Sequence, residues 1–315
     1  MLCSKGVTHM SYRKLGIVLC IVVLALSSGI VWAQVGEDPK LESRRHALAD
    51  GEAKEPFKVF DNLYFIGIEY VSSWILTTSD GLILFDALFE HEEYGDYLLD
   101  NMRKLGFDPA DLKYIIITQG HLDHYGQARM LQDLTGAVVG TGLGDWELIK
   151  ERMGDAGPRR DWIIEDGDTL TLGDTTISFE ITPGHTPGTV STIIPLKDGD
   201  RTHLTYFHGG TELEYFEPAI IQGFIDDMER IKTIEGIEVQ TNNHAFIDDL
   251  FIRQELLSQR EPGDIHPFVD PVAFDAWVDR RIVIAQELLD CVIADKGPCQ
   301  SRNLGGAIPS SGDTE

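Results

Sequence analysis

Positive charge is what this chain of 315 residues has least of: 26 Lys and Arg stand against 52 Asp and Glu, for a formal charge of −26. Such a surface repels phosphates, so nucleic acid is set aside as a partner. Cysteine is scarce too, at four residues. Cys291 and Cys299 have no histidine or second cysteine pair nearby, which sets aside a thiolate zinc site there. No internal repeat is visible, and a flavin partner is not expected. Apolar content is ordinary for a globular protein, and the length allows one large domain with a substantial core.

The long apolar run lies at the N-terminus. Arg13 and Lys14 precede Leu15 to Leu26, and Val31-Trp32-Ala33 presents a signal-peptidase pattern. Residues 1–33 are therefore expected to be a signal peptide cleaved after Ala33, giving an exported protein with no stable membrane association. The competing reading is an uncleaved anchor, which Ser27, Ser28 and Gly29 weaken. Cleavage removes Lys5, Arg13 and Lys14 and no acid, taking the formal charge from −26 to −29. Cys3 and Cys20 leave with the leader; Cys291 and Cys299 remain, either paired in an oxidising compartment or as two structural thiols.

Residues 34–55 read as a polar segment, 56–299 as the folded domain and 300–315 as a disordered tail. Short β-like runs are expected at 57–60, 63–66, 73–78, 82–85, 114–117, 137–140, 162–164, 169–172, 176–181, 190–194 and 204–207. A further short strand ends at Asn243-His244. Helices are expected at 92–105, 125–134, 145–152, 219–231, 251–258 and 272–294. Strands then helices, twice over, suggest two sheets faced by helices.

The most informative stretch is Gln119-Gly120-His121-Leu122-Asp123-His124, directly after the apolar run Tyr114 to Ile117. Four side chains that bind metals fall within six residues at a strand end. His185, in Thr182-Pro183-Gly184-His185-Thr186-Pro187-Gly188, and His244, after Val239 to Asn243, also follow strands. Together these residues supply six ligands, three for each of two metals. His266-Pro267-Phe268 reads as a packing turn and Trp162 as core or loop packing.

These motifs resemble the metallo-β-lactamase superfamily, whose pattern is His-x-His-x-Asp-His, a Pro-Gly-His-Thr-Pro-Gly loop and a late histidine. The likeness covers about Phe57 to Cys291 and is nearest to the third subclass of class B β-lactamases, where some members carry glutamine at the first ligand position. It implies an α/β fold, a four-layer αβ/βα sandwich, with two Zn²⁺ in a cleft along one sheet edge. One zinc would be held by Gln119, His121 and His185, and the other by Asp123, His124 and His244. Asp123 would also orient the attacking water, whose pKa falls from about 15.7 to roughly 7 at such centres. Many superfamily hydrolases add a bridging aspartate after a late strand. Here that strand ends Phe207-His208-Gly209-Gly210-Thr211. Its absence points to a cyclic amide, with β-lactams foremost, as the small-molecule substrate. A lactone or ester hydrolase, or a metal-binding protein with little turnover, are the alternatives. His208 and Thr211 are candidate substrate residues, His208 competing with a structural role in its loop. Gln119, a neutral amide donor, is expected to hold its zinc more weakly than a histidine would.

Overall fold

The computed structural model describes residues 52–210, 212–295 and 299. The expected leader, most of the polar segment, Thr211 and the expected tail lie outside the described residues. Twelve strands form two sheets among the described residues. The first runs in sequence order: β1 (Phe57–Phe60), β2 (Leu63–Phe65), β3 (Trp74–Thr78), β4 (Gly81–Phe85), β5 (Leu112–Ile116), β6 (Val138–Gly142) and β7 (Trp162–Ile164). The second, in the order β12-β11-β10-β9-β8, holds β8 (Thr169–Leu172), β9 (Thr175–Ile181), β10 (Val190–Asp198), β11 (Arg201–His208) and β12 (Ile237–Asn242). Helices α1 (Glu92–Lys104), α2 (Leu122–Tyr125), α3 (Ala128–Thr135) and α4 (Leu143–Met153) lie among the strands of the first sheet. Helices α5 (Pro218–Ile231), α6 (Leu250–Ser258) and α7 (Pro271–Ile293) accompany the second.

Side-chain alternation explains the layers. In β4, Leu82 and Leu84 join a core with Leu98 and Met102 of α1, Leu131 of α3 and Trp146 of α4. Ile83 and Phe85 point the other way, into a core shared with Phe179 of β9 and Phe207 of β11. A third core packs Tyr206 of β11 against Phe224 of α5 and Phe274 and Trp277 of α7. Three apolar seams thus separate four layers, as expected. Each fully buried phenylalanine in the central seam contributes about 1.5–3 kcal/mol relative to exposure.

Local signals set the ends. Glu92 and Glu93 open α1 and Arg103 and Lys104 close it, complementing the helix dipole. Pro271 begins α7, and the Asp270 carboxylate accepts the Ala273 N–H. One helix departs from expectation. The segment expected at 125–134 is two helices, α2 and α3, broken at Gly126 and Gln127. Gly126 N–H donates to Leu88 O and Gln127 N–H to Ala87 O. A Cβ on Gly126 would lie 2.1 Å from the Phe89 carbonyl carbon, so only glycine permits this docking. The break lets Asp123 and His124 occupy a separate first turn of helix.

His266 stacks on Phe60 at 4.0 Å between ring centroids and its Nε2–H donates to Val59 O at 2.9 Å, and Trp162 packs edge-on to Phe179; both serve packing. Cys291 and Cys299 are joined by a disulfide. No helix among the described residues is long and apolar enough to cross a membrane.

Candidate metal centre

Parallel pairing of β4 with β5 and of β11 with β12 brings their carboxyl ends to one edge. The two sheets are tied together there. Val190 N–H, at the start of β10, donates to Thr118 O just past β5. The Asn243 amide donates to Thr118 Oγ1 at 3.0 Å and to Gly209 O at 2.5 Å. These groups are fully buried, where satisfied polar bonds fix one geometry. Asp86, held at φ 59 after β4, accepts from Thr118 N–H and Oγ1 and meets His124 Nδ1 at 2.7 Å.

Two groups of donor atoms result, each within 4.8 Å of one another: Asp123, His124 and His244, and His121, His185 and Glu214. In the first, Asp123 Oδ2 lies 3.2 Å from His124 Nε2 and 3.8 Å from His244 Nε2. In the second, His121 Nε2 lies 3.5 Å from Glu214 Oε2, and the His121 and His185 rings are 4.9 Å apart. The Nδ1 atoms of His124, His185 and His244 are engaged. His244 Nδ1 donates to Tyr70 O at 3.0 Å and His185 Nδ1 to Glu212 O at 2.8 Å. That fixes the tautomer and leaves each Nε2 lone pair aimed inward, as metal-binding histidines require.

Charge states agree with this assignment. Burial, then neighbouring imidazoles, pushes His121 down to about 2. Burial and His124 bring His244 to about 3, and burial lowers His185 as well. All three are neutral donors near pH 7. Burial alone would raise Asp123, but His124, His244 and His121 hold it well below the usual carboxylate range. His124 goes the other way: burial opposes its charge, yet Asp123 and Asp86 raise it to about 10. A cation entering between Asp123 and His124 takes the place of that proton.

Gln119 is 1% exposed, and its Oε1 has no hydrogen-bond partner among the described residues. An orphaned amide oxygen costs roughly 1–3 kcal/mol unless a cation or water satisfies it. With the neutral Nε2 atoms and two carboxylates, this donor set of N and O atoms fits zinc. His208 stands apart. Its ring, fully buried, lies 5.3 Å from Trp277, and its Nδ1 accepts the Gly210 N–H.

Several contributors carry little sequence signal. Glu214 is one acid among many in an acidic chain, in a loop without regular structure. Asp145, buried under the His185 loop, accepts from Thr186 Oγ1 at 2.7 Å and Gly188 N–H at 2.9 Å. Burial raises its pKa to about 6. Arg152, exposed on α4, adds positive charge near His121 and Tyr125. Tyr70 and Phe246 flank His244, with ring centroids 4.8 and 5.3 Å from it. For Asp86 and Asp145 a signal existed: an acid closing an apolar strand or lying inside an otherwise core-facing helix turn.

Residues 66–199 match the model of the metallo-beta-lactamase superfamily. The chain is 26% identical over 158 residues to the N-acyl homoserine lactonase AttM of Rhizobium radiobacter, covering 46% of this chain and 60% of that one. It thus spans about 60% of the length of the curated relatives it first matches. Its fold is similar to BJP-1, a subclass B3 metallo-beta-lactamase of Bradyrhizobium japonicum, with a TM-score of 0.68 and 26% identity, covering 78% of this chain and 98% of that one. It is also similar in fold to native FEZ-1 metallo-beta-lactamase from Legionella gormanii, with a TM-score of 0.68 and 22% identity, covering 79% and 99%. Residues 66–199 are thus similar to a metallo-β-lactamase superfamily domain, and the solved structures similar in fold include a subclass B3 metallo-β-lactamase.

Proposed function

We propose that the protein is an exported dizinc hydrolase that opens a cyclic amide, with β-lactams as the leading substrate class. The observation that carries this reading is the pair of donor groups, Asp123-His124-His244 and His121-His185, in which His121, His185 and His244 are neutral near pH 7 and the His124 proton lies between two carboxylates. Gln119 joins the second group through its orphaned Oε1. When bound, two zinc ions supply an acidified water and a polarised carbonyl. Asp123 would hold one of the two ions and orient the attacking oxygen. Arg152, with its charge near His121, offers a counter-ion to a substrate carboxylate. Tyr70 and Phe246 give an apolar wall beside His244. We assign His208 to ordering the loop after β11, through its bond to Gly210; Thr211 stays a candidate substrate contact. Export rests on Arg13, Lys14 and the apolar run behind them.

A second reading, lactone hydrolysis, is favoured by the match to AttM. Against it, β11 ends at His208 and Gly209-Gly210 follow, where many superfamily hydrolases place a bridging aspartate. A hydrolysis panel of zinc-loaded protein decides: penicillin, cephalosporin, carbapenem, acyl-lactone and thioester, with Asp123→Ala as the blank. Lactam turnover in the wild type alone supports the proposal. Lactone turnover without lactam turnover moves the assignment to the second reading, and equal rates in both proteins overturn the enzyme.

A further inference from the structure

Glu214 brings a carboxylate to His121 and His185 that no sequence motif announces. Its Oε2 is 3.5 Å from His121 Nε2, and the donor atoms of all three residues lie within 4.8 Å of one another. Ligand atoms around a tetrahedral zinc, with bonds of about 2.0–2.1 Å, stand roughly 3.3–3.4 Å apart. The observed pair therefore needs little movement to share an ion. The Glu214 side chain is 26% exposed, so its carboxylate reaches the cleft without full burial.

The loop carrying Glu214 is fastened to the loop carrying His185 by three contacts. Glu214 N–H donates to Gly184 O at 3.0 Å. Glu212 O accepts from His185 Nδ1 at 2.8 Å. Leu213, between them, is 2% exposed and presses on Gly184, where an added Cβ would meet it at 2.9 Å. Gly184 has φ +140, so the approach depends on glycine twice, for its backbone angle and for its missing side chain. Backbone atoms and an apolar anchor hold residues 212–214 against the histidine turn, independently of the Glu214 carboxylate.

We propose that Glu214 is a ligand of the metal at His121 and His185, supplying the strong donor that Gln119 is not. The inference rests on the two-metal reading above. Each half of the centre then holds one carboxylate, Asp123 in one and Glu214 in the other. The weak half expected from glutamine alone becomes a compensated one, with Gln119 Oε1 as a supporting neutral donor. Carboxylate oxygen is a stronger zinc ligand than amide oxygen because it carries charge.

The test is a zinc titration of the full chain in competition with a chromophoric chelator. The wild type takes two equivalents. Glu214→Gln weakens one of them at least tenfold and leaves the other within threefold. Gln119→His in the Glu214→Gln background restores most of the loss, which a merely misfolded loop would not allow. Metal-free Glu214→Gln melts with the wild type, since the loop is held by its backbone and Leu213. Unchanged affinities in Glu214→Gln, equal weakening of both equivalents, or a single equivalent in the wild type would overturn the assignment. Absence of turnover with both zinc affinities behaving as stated would sink the hydrolase reading alone.

Discussion

The two halves of the candidate centre are built differently. Asp123, His124 and His244 come from a helix turn and a strand end, and their supports are buried: Asp86 under His124 and the Tyr70 carbonyl behind His244. His121, His185 and Glu214 come from three loops, and the support of His185 is the carbonyl of Glu212, itself in a loop. The first half is a product of secondary structure, the second of loops stitched to one another. A half set by strand and helix ends is rigid and visible in a motif. A half completed by loops can trade donors, and the proposed Glu214 ligand is such a trade for the glutamine at position 119.

Four substitutions separate the halves, in decreasing order of effect. On the proposed function Asp123→Ala removes both a ligand and the group that orients water, so turnover should fall at least about a thousandfold, beyond the 10–100-fold typical of lost outer supports. Steady-state rates on the best panel substrate check this. Asp86→Asn keeps the shape but takes the charge from His124 Nδ1. Zinc should bind about 10–100-fold more weakly at the His124 half and within threefold at the other; competition titration reads both. Equal losses in the two halves would break the comparison. Gln119→His should act only on the His121 half, and by less than about tenfold, if Glu214 supplies a charged donor there as proposed.

The smallest effect concerns Asp248, buried in the turn after His244, where burial raises its pKa to about 7. The folded protein keeps this proton up to about pH 7, whereas the unfolded chain releases it near the ordinary 3.8. Between those values the folded state binds more protons, so its contribution to stability falls as pH rises. Asp248→Asn should match the wild type near pH 4 and melt a few degrees higher above pH 7. Equal melting at both pH values would show that this turn does not strain the rigid half.

What could be read from the sequence follows the same division. Strand alternation and Gly or Asp-rich turns placed most elements within a residue or two, because each apolar face has one sheet to cover. The 125–134 segment has the composition of one continuous helix. Its break depends on Gly126 meeting Phe89, a contact with no local signal. Of the candidate ligands, His121, His124, His185 and His244 stand out because each follows a strand and histidine is scarce, and Asp123 because it lies between two of them. Glu214 was not, as carboxylates are common in this chain and its place is fixed by the distant Gly184. Asp86 was visible only as the end of an apolar run, and its hydrogen bonds to Thr118 and His124 cross more than thirty residues of sequence.

The account stands on two distinct metals in one cleft, held by different residues. Counting zinc in purified wild type and Asp123→Ala after gel filtration in zinc-buffered solution tests that directly. Two equivalents in the wild type and one in the variant are predicted, the survivor belonging to His121, His185 and Glu214. One equivalent in both proteins, or two in both, would contradict it.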